Sequence, residues 1–442
     1  MKVLRVILAA ALLALVMAPL RAQDDSAMAE KIKKLEEQLA AQQALLEELK
    51  KALEEQKAQG AQNTAEIQKA MEDQKAATTD EIKKTALETS QKEVAKETKN
   101  RGLTGWKFGG DVRLRYEGTY YDADSGFQDR NRERIRLRFK VSKNIGWGVT
   151  GVFQLASGMG FEPTSTNQTL TDSFDRKDVW IDQAYITWTP DVAGHFFTFG
   201  GGKMANPFVS SPMVWDTDVN PEGFYEKFSY KWGVVEPYFT FAQLTVRENS
   251  SKKDSYGLAY QGGANFKLAE KLTAGVNLAY YDYVRYDTNY KYPNGNTVGG
   301  SGSNTYLDAL NFNILDFLAQ VKYEGWRYPV DFFVDYAQNL DATGPYGDED
   351  TAWSVGGGIG QNKKQKDWSV AYRYAHLEPN AVAGAFTDSD FGFANRKGSE
   401  VKFKYNIYDP LAFGVAFWST DPVLELVRDP WTRLQLDLEY KF

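Results

Sequence analysis

The sequence contains no cysteine and only two histidines in 442 residues. Without cysteine, a disulfide framework and thiolate chemistry are both excluded, although a chain that crosses an oxidising periplasm loses nothing by this lack. His195 and His376 have no Ser or Asp partner at a spacing typical of a catalytic group. Two histidines are also few for a histidine-based metal site. We therefore predict no enzyme, no catalytic residues, no metal site and no cofactor.

An overall excess of positive charge is missing as well. The formal net charge is −7 and the isoelectric point is about 5.3, which argues against a nucleic-acid partner. The one strongly basic run, RIRLRFK at residues 134–140, is therefore local and needs a local explanation. Every second residue in it is cationic, and Ile135, Leu137 and Phe139 lie between the cations.

Beyond the N-terminus, no stretch approaches 18 consecutive apolar residues, so a membrane-spanning helix is not expected. Residues 1–22 have a basic start, an apolar core from Val6 to Ala18 and a small-residue site at Ala22. This pattern predicts a signal peptide that is removed after Ala22. The alternative is an N-terminal membrane anchor, but about a dozen apolar residues are short for a span.

Residues 29–99 are rich in Ala, Glu, Gln and Lys, with no proline, no aromatic residue and one glycine. Within 29–59, apolar or small polar residues recur at alternating spacings of three and four, a heptad pattern that predicts a coiled coil. These positions are Ile32, Leu35, Leu39, Gln42, Leu46, Leu49, Leu53 and Gln56. We predict a periplasmic helical segment over 23–100; a solvated linker is the alternative, and it stays open for 61–99.

From Trp106 onward, the period changes from 3.5 to 2 and about sixteen short alternating strands follow one another to the last residue. The links after even-numbered strands are short, as in KNIG and YDP, whereas those after odd-numbered strands are long and rich in Gly, Asn, Asp, Ser and Thr. This rhythm is typical of transmembrane barrels, which have short turns at one end and loops at the other. We predict an all-β fold, a transmembrane antiparallel barrel over 101–442 preceded by the coiled-coil segment.

The width of such a barrel decides which face meets lipid. About sixteen strands enclose an interior too wide for side chains to fill, so the interior is wet and the apolar set faces outward. We place on the lipid face Ile135, Leu137, Phe139, Val141, Val401, Phe403, Tyr405, Ile407, Leu434, Leu436, Leu438, Tyr440 and Phe442.

The basic run then has a local explanation. On the opposite parity, the cations of the second strand and the arginines of the first strand share a water-filled lumen, where their charge is hydrated. We predict that the pore is lined by Arg113, Arg115, Arg134, Arg136, Arg138 and Lys140. Like charges this close repel, so they need water, bound anions or nearby acids beside them.

Several long segments resemble the bacterial putative-porin family of outer-membrane proteins: GDVRLRYEGTYYD, NRERIRLRFKV, STNQTLTDSFDRKDVWIDQAYITW, GGKMANPF and VWDTDVNPEGFYEKF. The resemblance is densest over 106–230 and continues more weakly to Phe442. The final strand, RLQLDLEYKF, resembles the C-terminal ending of outer-membrane barrels. The resemblance implies a signal peptide, a β-barrel pore and a location in the bacterial outer membrane, with distant similarity to phosphate-selective porins, many of which carry a coiled segment before the barrel.

In general-diffusion porins the third long loop folds into the lumen and forms the constriction. The corresponding segment here is GGKMANPFVSSPMVWDTDVNPEGF, residues 201–224, and it carries Asp216, Asp218 and Glu222. Acids opposite an arginine wall would set a transverse field across the pore and orient dipolar solutes. We therefore predict a constriction loop; the alternative is that these are ordinary hydrated loop charges.

Together these observations predict a porin for the passive diffusion of small hydrophilic solutes or ions. The expected partners are outer-membrane lipid, the solutes and, from the resemblance to trimeric porins, two further copies in a homotrimer. The alternative is an envelope-tethering protein whose coiled coil contacts peptidoglycan or another envelope layer while the barrel serves as the anchor.

Overall fold

The computed structural model describes residues 104–122, 126–191, 196–251, 253–286, 294–299, 306–307, 312–425 and 430–442. The predicted signal peptide and coiled coil lie outside the described residues, as does His195. Residues 105–442 form one compact unit. None of the helices in the described part of the chain has the length and apolarity needed to cross a membrane.

Sixteen strands of seven or more residues make up most of the described chain. In chain order they are β1 (Trp106–Tyr121), β2 (Arg130–Gly146), β3 (Val149–Ser157), β4 (Val179–Trp188), β5 (Phe197–Lys203), β6 (Glu222–Ser229), β7 (Val235–Arg247), β8 (Ser255–Ala269), β9 (Leu272–Val284), β10 (Phe312–Tyr323), β11 (Val330–Asn339), β12 (Thr351–Gly360), β13 (Trp368–Leu377), β14 (Arg396–Tyr408), β15 (Leu411–Asp421) and β16 (Trp431–Lys441).

Every strand pairs antiparallel with its neighbour in the chain, and the sheet closes on itself because β1 also pairs with β16. The closing register runs from Asp111 opposite Lys441 to Tyr121 opposite Trp431. Closure leaves neither the first nor the last strand as a free sheet edge, and their backbone groups pair with each other instead of with an outside strand. The predicted all-β barrel of about sixteen strands is thus confirmed, whereas the coiled-coil part of that prediction is not tested.

The remaining regular structure in the described residues consists of short pieces between strands. Gln168–Thr169 pairs with β2 at Arg134 and Ile135, and Val298–Gly299 pairs with Tyr306–Leu307. Two single-turn 3₁₀ helices lie at Asp172–Phe174 and Gly384–Phe386. All of these pieces lie in links that follow odd-numbered strands, so the longer links at this end carry the barrel's additional structure.

The short links follow the even-numbered strands, as the sequence pattern indicates. One of the three two-residue links joins β2 to β3 through Trp147 and Gly148, where both residues have positive φ. A Cβ atom on Gly148 would lie 1.8 Å from the carbonyl oxygen of Thr189 in the next short link. Glycine is therefore required at this position both for its backbone conformation and for space.

Alternation along the strands separates an apolar outer face from a polar inner face. On β2, Leu137 and Phe139 are exposed while Arg134 and Arg136, on the other parity, are buried. On β16, Leu436, Leu438 and Tyr440 are exposed, whereas Gln435 is fully buried. A continuous band of exposed apolar side chains around a closed barrel requires an apolar solvent, which lipid supplies.

We predict that Leu137→Lys on the outer face of β2 blocks assembly of the barrel. A lysine there would lie in hydrocarbon and cost about 2–4 kcal/mol at mid-depth. The matched control is Gln320→Lys, which adds the same charge to the inner face of β10 beside a water-accessible cavity. The measurement is the heat-dependent shift in gel mobility of the refolded protein. Normal folding of the first variant together with failure of the second would show that the two faces are reversed.

Candidate functional site

The barrel interior is crossed by the link between β5 and β6, residues 204–221, which we name inner loop 1. Gln261 on β8 holds it with two hydrogen bonds: its amide accepts from the Val209 backbone N–H at 2.9 Å and donates to the Val209 carbonyl at 2.7 Å. The Ser211 hydroxyl donates to Asp335 on β11. Since β8 and β11 are separated from β5 and β6 around the barrel, these contacts place the loop inside the lumen.

Apolar packing holds the same loop in place. Met213, Val214 and Trp215 are almost fully buried. The Trp215 ring stacks on Phe386 with 5.3 Å between centroids and meets the Tyr281 ring on β9 edge-on at 5.8 Å. These contacts shield large side chains that a hydrated outer loop would expose, so inner loop 1 belongs to the packed interior.

A second link also lies inside the barrel, and the strand pattern gave no indication of it. Inner loop 2 is residues 378–395, EPNAVAGAFTDSDFGFAN, between β13 and β14. Its Asp388 N–H donates to the Pro212 carbonyl at 3.1 Å, and its Phe386 carbonyl accepts from the Asp216 N–H at 2.7 Å. The signal that could have revealed it is composition, because the segment is rich in Ala and Phe and contains no lysine or arginine.

The six cations predicted to line the pore project from the inner faces of β1 and β2. In the register, Arg113 lies opposite Arg136 and Arg115 lies opposite Arg134. Like charges directly opposite each other across a strand pair are destabilising. The arrangement therefore depends on acids close enough to compensate the arginines.

Those acids come mainly from the strands themselves. Asp111 on β1 accepts from both Arg136 and Arg138 at 2.7 Å. Glu117, also on β1 and fully buried, accepts from Arg134 at 3.1 Å and from Arg132. The basic wall is therefore interleaved with carboxylates that face the same way.

β16 completes the compensation from the other side of β1. The Asp437 carboxylate accepts two hydrogen bonds from the Arg115 guanidinium, at 2.7 and 2.8 Å. Glu439 accepts from Lys404 at 2.6 Å and from Arg136 at 3.3 Å. Lys140 stands apart from these ion pairs and donates to the Gln183 amide at 3.0 Å.

Inner loop 1 meets this wall through one of its predicted acids. Asp218 lies 3.4 Å from Arg138, and it also accepts from the backbone N–H and the hydroxyl of Thr166, each at 3.1 Å. Glu222, in contrast, is the first residue of β6 and pairs with Lys203 at 3.2 Å, so it lies outside inner loop 1. The structure thus brings Asp218, but not Glu222, against the arginines.

Asp216 occupies the junction of the two inner loops. Its carboxylate accepts from the backbone N–H of Asp218 at 2.8 Å and from that of Ser389 at 3.2 Å. No cation of the described residues forms an ion pair with it. Burial, and then the negative charges of Asp388 and Asp218, raise the pKa of Asp216 well above its usual range.

Asp390 in inner loop 2 has the opposite electrostatic environment. Burial opposes its ionisation, but Arg115, Arg433 and Lys402 outweigh burial and lower the pKa of Asp390 below its usual range. Arg433 lies 3.4 Å away, and the Gln435 amide donates to the carboxylate at 2.8 Å. Asp390 therefore stays ionised where Asp216 can change its charge.

Between the wall and the two inner loops lies a cavity of about 270 Å³, which we name the central cavity. Its lining includes cations of the wall and acids of both inner loops, among them Arg113, Arg115, Arg136, Asp216, Asp218 and Asp390. A larger cavity of about 610 Å³ lies at the short-link end and is lined in part by Lys231, Glu236, Lys267, Lys322 and Asp331. The central cavity is where charges of opposite sign face each other, and it is the candidate functional site.

Among the described residues, no three His, Cys, Asp or Glu side chains are arranged to hold a metal ion. His376 stacks on Trp353 with 6.0 Å between ring centroids, and its Nε2 lies 3.8 Å from Glu378 Oε1. His376 accordingly lies on the outer face of β13, beside the exposed ring of Trp353 on β12.

A closed sixteen-stranded barrel with an apolar exterior and a charged interior defines an outer-membrane channel. A family profile described as putative porin matches residues 123–314 and 309–442, so the chain belongs to the putative-porin family. The protein is therefore a bacterial outer-membrane porin, a channel for passive diffusion of solutes, and its family and fold are those of channels without enzymatic activity. A comparison with curated proteins finds no match.

The chain is similar to solved porin structures over most of its length. OprB of Pseudomonas putida, in its high-pH structure, is 12% identical with a TM-score of 0.52; the match covers 80% of this chain and 96% of that one. The outer-membrane channel DcaP of Acinetobacter baumannii is 13% identical with a TM-score of 0.45, over 76% and 97% of the two chains. A mutant of Rh. blastica porin is 11% identical with a TM-score of 0.40, over 76% and 100%. At 12% identity, the similarity to OprB supports a shared fold only.

We predict a pH-dependent step in ion selectivity that depends on Asp216. Its raised pKa means that the group is neutral at low pH and gains a negative charge as pH rises through that pKa. The added charge in the central cavity should increase preference for cations above the step. Reversal potentials in asymmetric KCl, measured across a pH series, test this expectation.

The variant Asp216→Asn should remove the step, because asparagine does not titrate. Asp331→Asn, on the wall of the larger cavity, is the matched control and should retain it. A step of unchanged size in the Asp216 variant would assign the titration to another group.

Proposed function

We propose that the two inner loops and the arginine wall form the constriction of this channel and make it selective for small solutes. In this proposal, solutes pass through the central cavity, with inner loop 1 and inner loop 2 on one side and β1, β2 and β16 on the other. The observation that carries the proposal is the approach of Asp218 in inner loop 1 to Arg138 on β2, at 3.4 Å. The loop thus reaches the opposite charged wall and narrows the lumen at that level.

The charges at this level support selection by electrostatics as well as by size. Arg113, Arg115 and Arg136 line the central cavity together with Asp216, Asp218 and Asp390, and Arg138 lies 3.4 Å from Asp218. Low-dielectric walls around opposed charges concentrate the field between them, which orients dipolar solutes and excludes poorly matched ions. The pore-lining and constriction residues predicted from the sequence keep these roles in the proposal, except that Glu222 lies at the start of β6.

We predict that Arg138→Gln shifts ion selectivity toward cations. The Arg138 side chain is the most exposed of the wall arginines with a resolved ion pair, 29% of its surface being accessible, so its loss changes the lumen charge with little cost to folding. Single-channel conductance and reversal potentials in asymmetric salt measure the shift. The shift should shrink at 1 M salt, where the screening length falls to about 3 Å. Arg327→Gln, in the short link before β11, is the matched control.

Replacing Arg134 is a different experiment. Its partner Glu117 is fully buried, so Arg134→Gln leaves a buried carboxylate with less compensation and should impair assembly.

Two outcomes of the conductance measurements would contradict different parts of the proposal. A well-folded wild-type barrel that shows no unitary current would contradict channel function itself. An unchanged reversal potential in the Arg138 variant would contradict only the role of the wall.

The assembly and the N-terminal segment also belong to this proposal. We propose a homotrimer, on the resemblance to porins, with residues 1–22 removed and 23–100 forming a periplasmic coiled coil. Sedimentation of the full chain beside a chain lacking 23–100 tests it; a monomeric full chain would contradict it. The alternative function as an envelope tether rests wholly on residues outside the described ones, and no contact within the barrel favours it.

A further inference from the structure

The central cavity contains one cation whose charge is poorly compensated. Arg115, Arg136, Lys402 and Lys404 each have a carboxylate oxygen within 2.7 Å. Arg113 differs, because its nearest paired acid is Asp437 at 3.8 Å, and Asp437 already holds Arg115.

The remaining contacts of Arg113 do not supply the missing charge. Its Nη2 donates to the neutral Asn167 amide at 2.5 Å, and its buried Nε has no hydrogen-bond partner. Arg136 faces it across the strand pair. A buried guanidinium donor that lacks an acceptor, beside the like charges of Arg115 and Arg136, favours binding of a carboxylate.

One acid on the other side of the same cavity is also poorly compensated. Asp388 pairs with Arg373 at 2.6 Å, Asp390 with Arg433 at 3.4 Å and Asp218 with Arg138 at 3.4 Å. Asp216 accepts only two backbone N–H groups and pairs with no cation of the described chain. Above the raised pKa of Asp216, where this acid is ionised, Arg113 and Asp216 are therefore two under-compensated charges of opposite sign in one cavity.

We propose that the central cavity is a weak binding site for small zwitterionic solutes, with the solute carboxylate at Arg113 and its ammonium group at Asp216. This inference rests on the proposed function, since the solute must reach the constriction to bind there. A simple anion would meet Arg113 but also the acids of both inner loops, and a simple cation would meet Asp216 but also the arginine wall. Only a solute with both charges gains at both ends, so amino-acid-like molecules are the class that fits.

Weak binding of this kind raises flux rather than blocking it. At concentrations below saturation, a solute that is favoured at the constriction enters more often, provided that it also leaves readily. Ion pairs that a solute forms in contact with water are typically weak, which corresponds to about a two- to fivefold preference over a matched neutral solute. The preference should therefore appear as a difference in permeation rate.

The test uses the full-length protein in liposomes and compares alanine with lactamide. The two solutes are similar in size and both have zero net charge, but only alanine carries a carboxylate and an ammonium group. Osmotic swelling should be about two- to fivefold faster with alanine, since two weak ion pairs favour it. Arg113→Gln and Asp216→Asn should each bring the ratio of the alanine rate to the lactamide rate close to unity, because each removes one of the two charges that alanine would meet. Arg327→Gln and Glu324→Gln, at the short-link end, are the charge-matched controls and should keep the wild-type ratio.

A second measurement uses only the wild-type protein, so its result does not depend on whether the variants fold. Alanine should produce larger fluctuations in the single-channel current than lactamide at equal concentration. Equal swelling rates and equal fluctuations, with both solutes entering faster than in protein-free liposomes, would overturn the zwitterion site but leave the channel intact. Entry of neither solute would overturn the proposed function and the site with it. Loss of the ratio in the Arg113 variant only would show an anion site in place of a zwitterion site.

Discussion

Closure of the sheet between β1 and β16 is the constraint on which the rest of the structure depends. It pairs the backbones of the first and last strands, which would otherwise be open sheet edges that hydrocarbon does not tolerate. It also assigns each strand two faces with different solvents. Because the side-chain period is two, Leu137 can meet lipid only if Arg136 and Arg138 face inward. The charged interior is therefore a direct consequence of the apolar exterior.

A charged interior of this density must then be compensated. Arg113 and Arg136, and likewise Arg115 and Arg134, face each other directly, so acids are needed within ion-pair distance. Asp111 and Glu117 supply part of the compensation from β1 itself, and Asp437 and Glu439 supply more from β16. These pairs link the first, second and last strands across the closure. Breaking one of them would leave a buried charge behind, which costs more than the pair itself contributes.

The inner loops bring further acids close to this charged wall. Trp215 and Phe386 pack the two loops together, and Gln261 fastens one of them to the far wall. Apolar packing thus holds Asp216, Asp218 and Asp390 in front of the arginines, with a cavity of about 270 Å³ left between them. Most of these charged groups form close ion pairs. Arg113 has its nearest paired acid at 3.8 Å, and Asp216 accepts hydrogen bonds from backbone N–H groups.

The strand alternation and the link lengths were sufficient, by themselves, to determine the barrel, its sixteen strands and its two faces, because period and turn composition are local properties of the chain. The same parity placed the six cations of β1 and β2 on one face. Only the tertiary structure decided which acids accompany them. Arg115 meets Asp437, which is 322 residues away, because closure makes the first and last strands neighbours. Inner loop 2 likewise enters the lumen because inner loop 1 offers Pro212, Asp216 and Trp215 as partners, and no local pattern encodes a contact between two loops.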